Sequence, residues 1–487
     1  MKFYRFIGYF FLLYISTYYV LAQNPDEPDD FLKSDFHKER RELLRKELPK
    51  NSVAVFFANP VRNRANDVDF VYHQDPDFFY LSGYREPHAL LLIFKEEQMD
   101  QKGTTYNEVL FVQPNNPRAE MWTGRRLGTE GAKDKLGFVQ ALANREFKEY
   151  EIDFSSFDKV MFYDFKNDVR DSRVQGDLYD LISWFKTKAG YPDPGNPSLD
   201  IEPKKQNLDT RTLDKYMKDL RGIKTPEEIY LIRKAVNISA VGQVEVMKAM
   251  KPGMSEREIQ GIHEFVFRKY EAEFEGYPSI VGAGHNGCIL HYIDNYKPSI
   301  ESDELILMDL GAEYHGYTAD VTRTIPVNGT FSEEQKLIYD LVYDAQEAAI
   351  QACKPGVSFD YISKIARDKI NEGLAELGII ISKEERHMYY PHGLSHHIGL
   401  DVHDKGNYNN LEENMVITVE PGIYIPENSK CEKKWWGIAV RIEDDVLITA
   451  DGFDLLSNGA PRKSEDIEQM MEQPSALEDF VLPDLNE

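Results

Sequence analysis

The second half of the sequence contains AMKPGMSEREI at residues 249–259 and ACKPGVSFDYI at residues 352–362. The two stretches align without a gap and share Ala, Lys, Pro, Gly, Ser and Ile in register. Coincidence is one explanation, because Pro-Gly commonly follows a helix. The number of shared residues favours a duplication, in which two units of helix, turn, helix and β-type sequence are related by a pseudo-twofold axis. We expect their helices to pack on one face of a shared antiparallel sheet, with a cleft between the halves.

Signals for a helix start precede both copies of the repeat. Thr225-Pro226-Glu227-Glu228 combines an N-cap, a proline at the first helical position and a Glu that completes a capping box. Ser332-Glu333-Glu334-Gln335 predicts a second capped helix, which ends at the Lys-Pro-Gly turn of residues 354–356. Each copy of the repeat therefore begins with a helix.

The first half of the sequence alternates short β-type runs with helical patterns. Strands are predicted at Val53–Phe57, Ala89–Lys95, Glu108–Gln113 and Val160–Tyr163, and helices at Phe31–Leu48 and Gly176–Lys188. The turn-forming segment AGYPDPGNP follows at 189–197. We predict an α/β (α+β) protein with a mixed α/β N-terminal domain over 23–195 and a second domain over 205–470. An acidic tail would follow at 471–487, and we expect the chain after Lys463 to be solvated.

The composition excludes several classes of protein. The chain has 487 residues, 42% hydrophobic and 29% charged, so a disordered, collagen-like or multispanning membrane protein is excluded. Asp and Glu number 83 against 57 Lys and Arg, and the net charge of −26 opposes binding to nucleic acid. The 3 cysteines are too few for a disulfide scaffold.

The N-terminus has the pattern of a secretory signal peptide. Lys2 and Arg5 precede an apolar run from Phe6 to Leu21, and VLA at 20–22 fits a cleavage site. An uncleaved membrane anchor is the alternative, but Tyr, Ser and Thr interrupt the run and polar sequence follows it. We predict a signal peptide at 1–22, a mature chain without a stable membrane span, and a periplasmic or secreted location.

Four β-type runs in the second half each carry a carboxylate inside or at the end of apolar sequence. They are ELILMDL with Asp309, YTADVTRTI with Asp320, MVITVE with Glu420 and AVRIEDDVLIT with Glu443. A buried carboxylate is unfavourable unless it finds a cation or takes up a proton. Each one alone could lie in water at a strand end, but four together near a cluster of histidines favour a common site.

The histidine cluster is PHGLSHHIGLDVH at 391–403, with His392, His396, His397 and His403. Four carboxylates and an imidazole exceed the four ligands, richer in N or S, that one Zn²⁺ prefers. They suit two divalent ions that share bridging carboxylates. The oxygen-rich set favours Mn²⁺, while Fe²⁺, Co²⁺ and Zn²⁺ stay open. Ca²⁺ is a rival, although it does not need His and the sequence has no EF-hand loop.

A pair of divalent ions is suited to the activation of water. A bridging hydroxide could attack a carbonyl group whose oxygen contacts one ion, with a neighbouring carboxylate as base and imidazoles that move protons. The pattern therefore predicts metal-assisted hydrolysis of an amide or ester, without selecting the substrate. Other schemes fail, because the sequence has no dinucleotide fingerprint or Walker loop, and Ser395 lacks the GxSxG frame of a serine hydrolase.

Asp309, Asp320, His396, Glu420 and Glu443 resemble the five-ligand pattern of the pita-bread metallopeptidases, the superfamily of methionine aminopeptidase, aminopeptidase P and prolidase. The flanking motifs agree: GCILHY at 287–292, DVTRT at 320–324, HGLSH at 392–396, GLDVHD at 399–404, TVEPG at 418–422 and RIEDD at 441–445. In the first half, DVDFVYHQD at 67–75 and WTGRR at 122–126 resemble the N-terminal domain of aminopeptidase P. The resemblance implies a C-terminal pita-bread fold and a creatinase-like N-terminal domain.

The resemblance also implies roles for the five metal ligands. Asp320 and Glu443 would bridge the two ions, Asp309 would chelate one, and His396 and Glu420 would hold the other. Glu420 would also contact the nucleophilic water and act as its base.

Four further residues match positions near the substrate in this superfamily. His291, His392 and His403 resemble its substrate-site histidines, which orient the peptide and assist proton movement. Arg441 resembles an arginine beside the metal centre that fixes the site carboxylates. A purely structural ion pair is the alternative for Arg441, and the two roles are compatible.

Aminopeptidase P fits better than the other branches of the superfamily. Prolidases usually have a longer insertion between TVEPG and RIEDD, and methionine aminopeptidases lack the large N-terminal domain. We expect an Xaa-Pro aminopeptidase that removes the first residue of peptides with proline second. A dipeptide-specific prolidase and a non-catalytic pita-bread binding protein are the alternatives. The family often forms homodimers or tetramers, so a homo-oligomer is compatible with the resemblance.

A few residues depart from the family pattern. They are Leu310 and Ala319, where a small residue is common, His397, where an aromatic is often seen, and Trp435-Trp436. We expect these differences to reshape the substrate pocket.

Overall fold

The computed structural model describes residues 28–191 and 207–478. Three predicted segments lie wholly or partly outside these residues. They are the signal peptide, most of the turn-forming segment at 189–197 and the end of the acidic tail. Within the two described ranges, the helices lack the length and apolar character of a bilayer span.

The N-terminal part of the chain forms a mixed sheet flanked by helices. The elements are α1 (Ser34–Glu47), β1 (Ser52–Phe57), β2 (Asn63–Ala65), β3 (Val68–Asp69), α2 (Pro76–Ser82), β4 (Leu90–Met99), β5 (Thr105–Val112), α3 (Pro117–Thr123), α4 (Gly128–Asp134), β6 (Gln140–Ala143), β7 (Lys159–Met161), α5 (Leu178–Ala189) and β8 (Leu208–Asp209). The strand order is β6-β5-β4-β1-β7-β8, with β1 antiparallel to β4 and parallel to β7. The four predicted strands correspond to β1, β4, β5 and β7.

The last strand of this sheet lies beyond the predicted domain boundary. Residues 208–209 form β8, which pairs in parallel with β7. The chain therefore returns to the N-terminal sheet just after residue 205, the predicted start of the second domain. A strand of two residues gives no periodicity that sequence analysis could detect.

Both faces of the N-terminal sheet are buried, and one of them adjoins the second domain. In β1, Val53 and Val55 pack in a cluster with Leu181 and Phe185 of α5. The alternate residues of β1 belong to a larger cluster that continues into the second domain. This continuity explains why β1 is apolar throughout, and it fixes the N-terminal domain against the second one.

The second domain contains the two copies of the repeat. Its helices are α6 (Thr212–Arg221), α7 (Pro226–Ala249), α8 (Glu256–Lys269), α9 (Glu333–Gln351), α10 (Phe359–Glu376) and α11 (Ser464–Met471). Its strands are β9 (Phe274–Glu275), β10 (Ile280–Ala283), β11 (Leu305–Leu310), β12 (Ala312–Tyr314), β13 (Tyr317–Thr318), β14 (Val321–Pro326), β15 (Val416–Val419), β16 (Gly422–Tyr424), β17 (Ala439–Arg441), β18 (Asp444–Thr449) and β19 (Gly452–Leu455). Each repeated stretch ends one helix and begins the next, α7 and α8 in the first copy and α9 and α10 in the second.

The antiparallel strands of this domain form several small sheets rather than the single sheet that the sequence suggested. The strand orders are β10-β11-β14, β13-β12-β9, β15-β18-β19 and β16-β17. The division has a local cause, because two of the expected continuous strands are interrupted. The first breaks at Ala319-Asp320, between β13 and β14, and the second at Ile442-Glu443, between β17 and β18.

Hydrogen bonds at these two interruptions join the halves of the domain. The Asp320 N–H donates to Asp445 Oδ2 at 3.0 Å, and the Glu443 N–H donates to the Thr322 carbonyl at 3.1 Å. The backbone leaves the hydrogen-bonded ladder of the sheet at Asp320 and Glu443, whose carboxylates were predicted to lie in a common site. The interruptions therefore place these carboxylates at the candidate site, and the sheet is not continuous there.

The segment after Lys463 is not a solvated tail. It begins with α11, whose Ile467 is fully buried, and Ser464 donates a hydrogen bond to Asp340 in α9 at 2.7 Å. The expectation of a solvated segment is wrong for Ser464–Met471, because regularly spaced apolar residues among the acids give α11 a buried face. The end of the predicted tail, 479–487, lies outside the described residues.

The duplication makes a stability prediction that can be tested at two equivalent serines. Ser255 Oγ accepts the Glu258 N–H at 3.1 Å, and Ser358 Oγ accepts the Tyr361 N–H at 3.2 Å. We expect Ser255→Ala and Ser358→Ala each to lower the free energy of unfolding by about 1 kcal/mol. Urea denaturation measures this, with exposed Ser382→Ala as the control that should change little. A loss at one site only would contradict the structural equivalence of the copies.

Candidate active site

The strand ends of the second domain bring five predicted ligands to one cleft. Asp309 lies in β11, Asp320 and Glu443 occupy the two strand interruptions, and Glu420 directly follows β15. His396 lies beside β15, where its carbonyl accepts the Thr418 N–H at 2.9 Å. Both copies of the repeat contribute, so the cleft forms between the two halves as the pseudo-twofold arrangement predicts.

The ligand atoms of these residues converge. Asp320, His396 and Glu443 each offer one atom within 4.8 Å of the others. His396 Nε2 lies 3.5 Å from Asp320 Oδ2 and 3.5 Å from Glu420 Oε1. Asp309 joins the group through Tyr277, whose hydroxyl is 2.5 Å from Asp309 Oδ1 and 2.5 Å from Asp320 Oδ1.

The carboxylates of the cluster repel one another. Burial and the neighbouring charges of Asp309 and Asp445 raise the pKa of Asp320 well above its usual range. Burial and the charges of Asp320 and Glu420 do the same to the pKa of Glu443. Burial also raises the pKa of Glu420 to about 7. Without a cation, the cluster therefore cannot hold all its negative charges at neutral pH.

Asp309 differs from the other carboxylates because an arginine neutralises it. Burial raises the pKa of Asp309, but the charge of Arg441 and the hydrogen bonds from Tyr277 and Arg441 together outweigh this effect, and the pKa is lowered. Arg441 Nη2 lies 2.5 Å from Asp309 Oδ2. Arg441 Nε also donates to Thr322 Oγ1 at 3.3 Å, and the Thr322 hydroxyl donates to Glu443 Oε2 at 2.7 Å. The ion pair expected for Arg441 is present, and its partner is a site carboxylate.

The donor set fits divalent metal ions. Four carboxylates face one imidazole and one guanidinium, which leaves an excess of negative charge in a buried cleft. Carboxylate oxygens with an imidazole nitrogen are ligands for divalent ions such as Mn²⁺, Fe²⁺, Co²⁺ and Zn²⁺. Five ligand residues are more than one tetrahedral ion needs, so the set has room for a second ion.

The three predicted substrate-site histidines lie around the same cleft. His392 Nε2 is 2.9 Å from the Tyr424 hydroxyl, and its Nδ1 is 3.6 Å from Glu420 Oε2. Burial lowers the pKa of His392 to about 4, so its imidazole is neutral at neutral pH. His403 packs edge-on against His396 with ring centroids 4.5 Å apart. His291 is exposed at the rim.

The cleft is a cavity of about 550 Å³ with polar and apolar lining residues. The polar lining residues are Asp309, Asp320, Glu420, Glu443, Arg441, Tyr277, Ser395, His291, His392, His396 and His403. The apolar lining includes Pro278, Ile280, Leu290, Ile293 and Val402. A cavity of this size and polarity fits a short peptide.

The departures from the family pattern do not shape this cavity. Leu310, Ala319, His397 and Trp435 are buried in the core, and neither they nor Trp436 line the cleft. His397 points away from it, and its Nε2 lies 3.0 Å from the Asn407 carbonyl. The expectation that these residues reshape the pocket is therefore wrong, since each one belongs to the packing behind it.

Several site residues were not identified from the sequence. Tyr277 contacts a site carboxylate, and Tyr424 contacts His392 and Arg441. Thr322 and Asp445 form hydrogen bonds with Glu443 and Asp320 at the two strand interruptions. Thr322 and Asp445 lie within the quoted motifs DVTRT and RIEDD, so their neighbourhood was a usable signal. Tyr277 precedes a strand without such a signal, and only the fold brings it to the ligands.

Comparison with known proteins agrees with this geometry. The family description "Metallopeptidase family M24" matches residues 230–450, and "Aminopeptidase P, N-terminal domain" matches residues 37–158. The Xaa-Pro aminopeptidase of Escherichia coli is 35% identical over 447 residues, which is 89% of this chain and 96% of the relative. The chain belongs to the aminopeptidase P family of M24 metallopeptidases. The Xaa-Pro aminopeptidase of Haemophilus influenzae is 36% identical over 90% of this chain and 97% of its own length.

A solved structure of an aminopeptidase P confirms the fold. The structure of aminopeptidase P from E. coli with the inhibitor Pro-Leu matches with a TM-score of 0.79 at 33% identity. The match covers 91% of this chain and 98% of that chain. It confirms the predicted α/β (α+β) class, the C-terminal pita-bread fold and the N-terminal aminopeptidase P domain.

The repulsion within the cluster predicts opposite effects of one substitution with and without metal. Asp320→Asn replaces a carboxyl group, whose ionised form burial and the neighbouring charges disfavour, by a neutral amide of nearly the same volume, so the chelator-treated variant should melt at or above the wild-type temperature. Mn²⁺ at 100 times its dissociation constant should stabilise the wild type by about 2.7 kcal/mol and the variant much less. Differential scanning calorimetry measures both effects.

The exposed carboxylate Asp344 provides the control for this experiment. Asp344→Asn should leave both melting temperatures close to wild type, because its side chain is largely in solvent. The account would be contradicted if Asp320→Asn lowered the melting temperature of the metal-free protein and left the metal-induced stabilisation unchanged.

Proposed function

We propose that this protein is an Xaa-Pro aminopeptidase, which releases the first residue of peptides with proline in the second position. The observation that carries the proposal is the convergence of Asp309, Asp320, His396, Glu420 and Glu443 at one cleft. Relatives that match nearly the whole chain are named Xaa-Pro aminopeptidase, which supports this substrate class.

We propose that the five ligand residues hold two divalent ions, most suitably Mn²⁺. Four of the five ligands are carboxylates, and oxygen-rich sets favour such hard ions. When bound, the ions would polarise the scissile carbonyl and supply a water nucleophile at neutral pH. Asp320, His396 and Glu443, whose ligand atoms lie within 4.8 Å of one another, would be among the residues that hold these ions.

The residues of the chain itself would bind the peptide and move protons. Glu420 lies between His396 and His392, where its carboxylate can accept the proton of the attacking water. His392 is neutral, its Nδ1 donates to the Gly393 carbonyl at 2.8 Å and its Nε2 accepts from the Tyr424 hydroxyl, so its ring would be a fixed wall beside Glu420 that orients the peptide. His291 and His403 lie at the rim of the cavity, where they would position the peptide backbone. Arg441 would hold Asp309 in place through their ion pair.

Proline in the second position suits the polarity of the cleft. The nitrogen of an Xaa-Pro bond carries no hydrogen, and the ring fixes the backbone dihedral φ. The substrate therefore needs no acceptor for that nitrogen. The apolar lining of the cavity includes Pro278, Ile280 and Leu290, on which the ring can pack.

We also propose a periplasmic or secreted location and a homo-oligomeric state. The location is supported by the signal-peptide pattern at 1–22, which predicts export of the mature chain. The oligomer is supported by the resemblance to a family that often forms dimers and tetramers. Size-exclusion chromatography with light scattering measures the second, and N-terminal sequencing of exported protein tests the first.

The proposed function is tested with an Xaa-Pro-Xaa tripeptide beside an Xaa-Pro dipeptide, with mature protein and Mn²⁺. We expect cleavage of the tripeptide with release of the first residue. Glu420→Ala should lower kcat by at least about 100-fold, because it removes the base. Exposed Glu432→Ala is the matched control and should retain full activity.

Other results of this experiment point to other functions. Cleavage of the dipeptide alone would show a prolidase. Absence of turnover on both peptides with Mn²⁺, Co²⁺ and Zn²⁺ would contradict the proposal and favour a binding protein.

A further inference from the structure

Buried charges connect the N-terminal domain to the loop that carries His403. Asp77 in α2, Arg221 at the end of α6 and Asp404 are 3%, 2% and 5% exposed. Arg221 Nη1 lies 2.6 Å from Asp77 Oδ1, and Arg221 Nη2 forms a second ion pair with Asp404. One guanidinium therefore bridges a carboxylate of the N-terminal domain and a carboxylate directly beside His403.

Two lysines and a tyrosine complete this network. Lys224 Nζ lies 2.8 Å from Asp404 Oδ2, and Lys405 Nζ lies 2.9 Å from Asp77 Oδ2. The Tyr163 hydroxyl donates to Asp77 Oδ2 at 2.6 Å, and Lys405 Nζ donates to the same hydroxyl at 2.8 Å. Both oxygens of each carboxylate thus have partners, as a buried ion pair requires.

A buried network of this kind adds little to the free energy of unfolding, but it fixes the relative positions of the groups that it joins. The loss of hydration offsets most of the attraction between buried charges, and well-packed apolar residues often do as well. The planar guanidinium of Arg221, in contrast, donates from Nη1 to Asp77 and from Nη2 to Asp404, and its rigid fork fits both carboxylates in one geometry only. The network therefore fixes α2, α6 and the segment around Asp404 relative to one another.

The His403 side chain has little else to hold it. Residues 399–407 form neither helix nor strand, and His403 is exposed. It lines the active-site cavity and also a second cavity of about 650 Å³, which lies at the ends of β1 and β7. In the described part of the chain its ring contacts that of His396, and its N–H donates to Asp401 Oδ1 at 3.3 Å within the same loop, so the position of His403 depends on its backbone. That backbone continues directly into Asp404 and Lys405.

We propose that Asp77 and Arg221 are positioning residues that act through Asp404 to place His403 at the active site. The N-terminal domain then contributes to turnover without contacting the reacting atoms. This inference rests on the proposed function for its kinetic test, because His403 is a substrate-site residue of the proposed peptidase.

A double-mutant cycle with Asp77→Asn and His403→Ala tests the proposal in the full chain. Asp77→Asn should lower kcat/KM for the Xaa-Pro-Xaa tripeptide by at least about tenfold, because displaced catalytic groups lose activity steeply. In the His403→Ala background the same substitution should change kcat/KM by less than about twofold, since residues that act as a unit are not additive. Bound metal should be unchanged. Equal fold-losses in both backgrounds would overturn the proposal.

Glu108→Gln is the matched control for loss of a buried ion pair. Glu108 pairs with Arg41 at 2.9 Å inside the N-terminal domain, away from the His403 segment. We expect a lower melting temperature with kcat/KM within about twofold of wild type, as for an independent site. Tyr163→Phe is a milder second variant, which removes one hydrogen bond to Asp77 without leaving a charge unpaired. An equal loss of kcat/KM in Glu108→Gln would overturn the proposal.

A spectroscopic measurement separates this inference from the proposed function. The imidazole ¹³C–¹H resonance of His403, assigned with His403→Ala, should shift in Asp77→Asn and Tyr163→Phe but not in Glu108→Gln. This holds whether or not the wild type cleaves Xaa-Pro peptides, so an inactive wild type would count against the function alone. An unchanged resonance in Asp77→Asn would overturn the positioning role.

Discussion

Mutual repulsion among four carboxylates, three of them buried and that of Glu420 partly exposed, is the constraint on which the rest of this structure depends. One cleft brings together the carboxylates of Asp309, Asp320, Glu420 and Glu443. Among the described residues around this cleft, Arg441 carries the full positive charge that faces them. Such a cluster is unfavourable in a metal-free protein, and the folding free energy of the rest of the chain must offset it. The large hydrophobic core that spans both domains provides this folding free energy. Bound cations would neutralise the carboxylates and so remove their repulsion.

The architecture follows from the need to hold these carboxylates in place. Two strands are interrupted at Asp320 and Glu443, and hydrogen bonds across the pseudo-twofold arrangement replace the lost ladder. Gly311 shows how closely the parts approach, because a Cβ at this position would lie 1.8 Å from the Ala319 carbonyl oxygen. Ala319, the residue before Asp320, therefore packs directly against the backbone of Gly311, which has no side chain. Arg441, Thr322 and Tyr277 then fix the carboxylates from behind.

Much of this could be predicted from the sequence, and the remainder could not for physical reasons. The capping residues Thr225, Ser255, Ser332 and Ser358 and the repeated Lys-Pro-Gly turns are local signals, so the helices and the duplication were predictable. The four carboxylates of the candidate site were predictable because a carboxylate in apolar sequence is conspicuous, and His396 because it lies in a cluster of histidines. Tyr277 and β8, in contrast, acquire their roles only through long-range contacts. The strand interruptions were also missed, because the surrounding residues are as apolar as a continuous strand.

The central claim is that the cluster is built for two divalent ions. Anomalous diffraction at the manganese edge, from crystals of the full chain grown with Mn²⁺, tests it most directly. The account predicts two peaks per chain, both within about 2.2 Å of oxygens from Asp320 and Glu443. A single peak, or ordered carboxylates without any peak at saturating Mn²⁺, would contradict it.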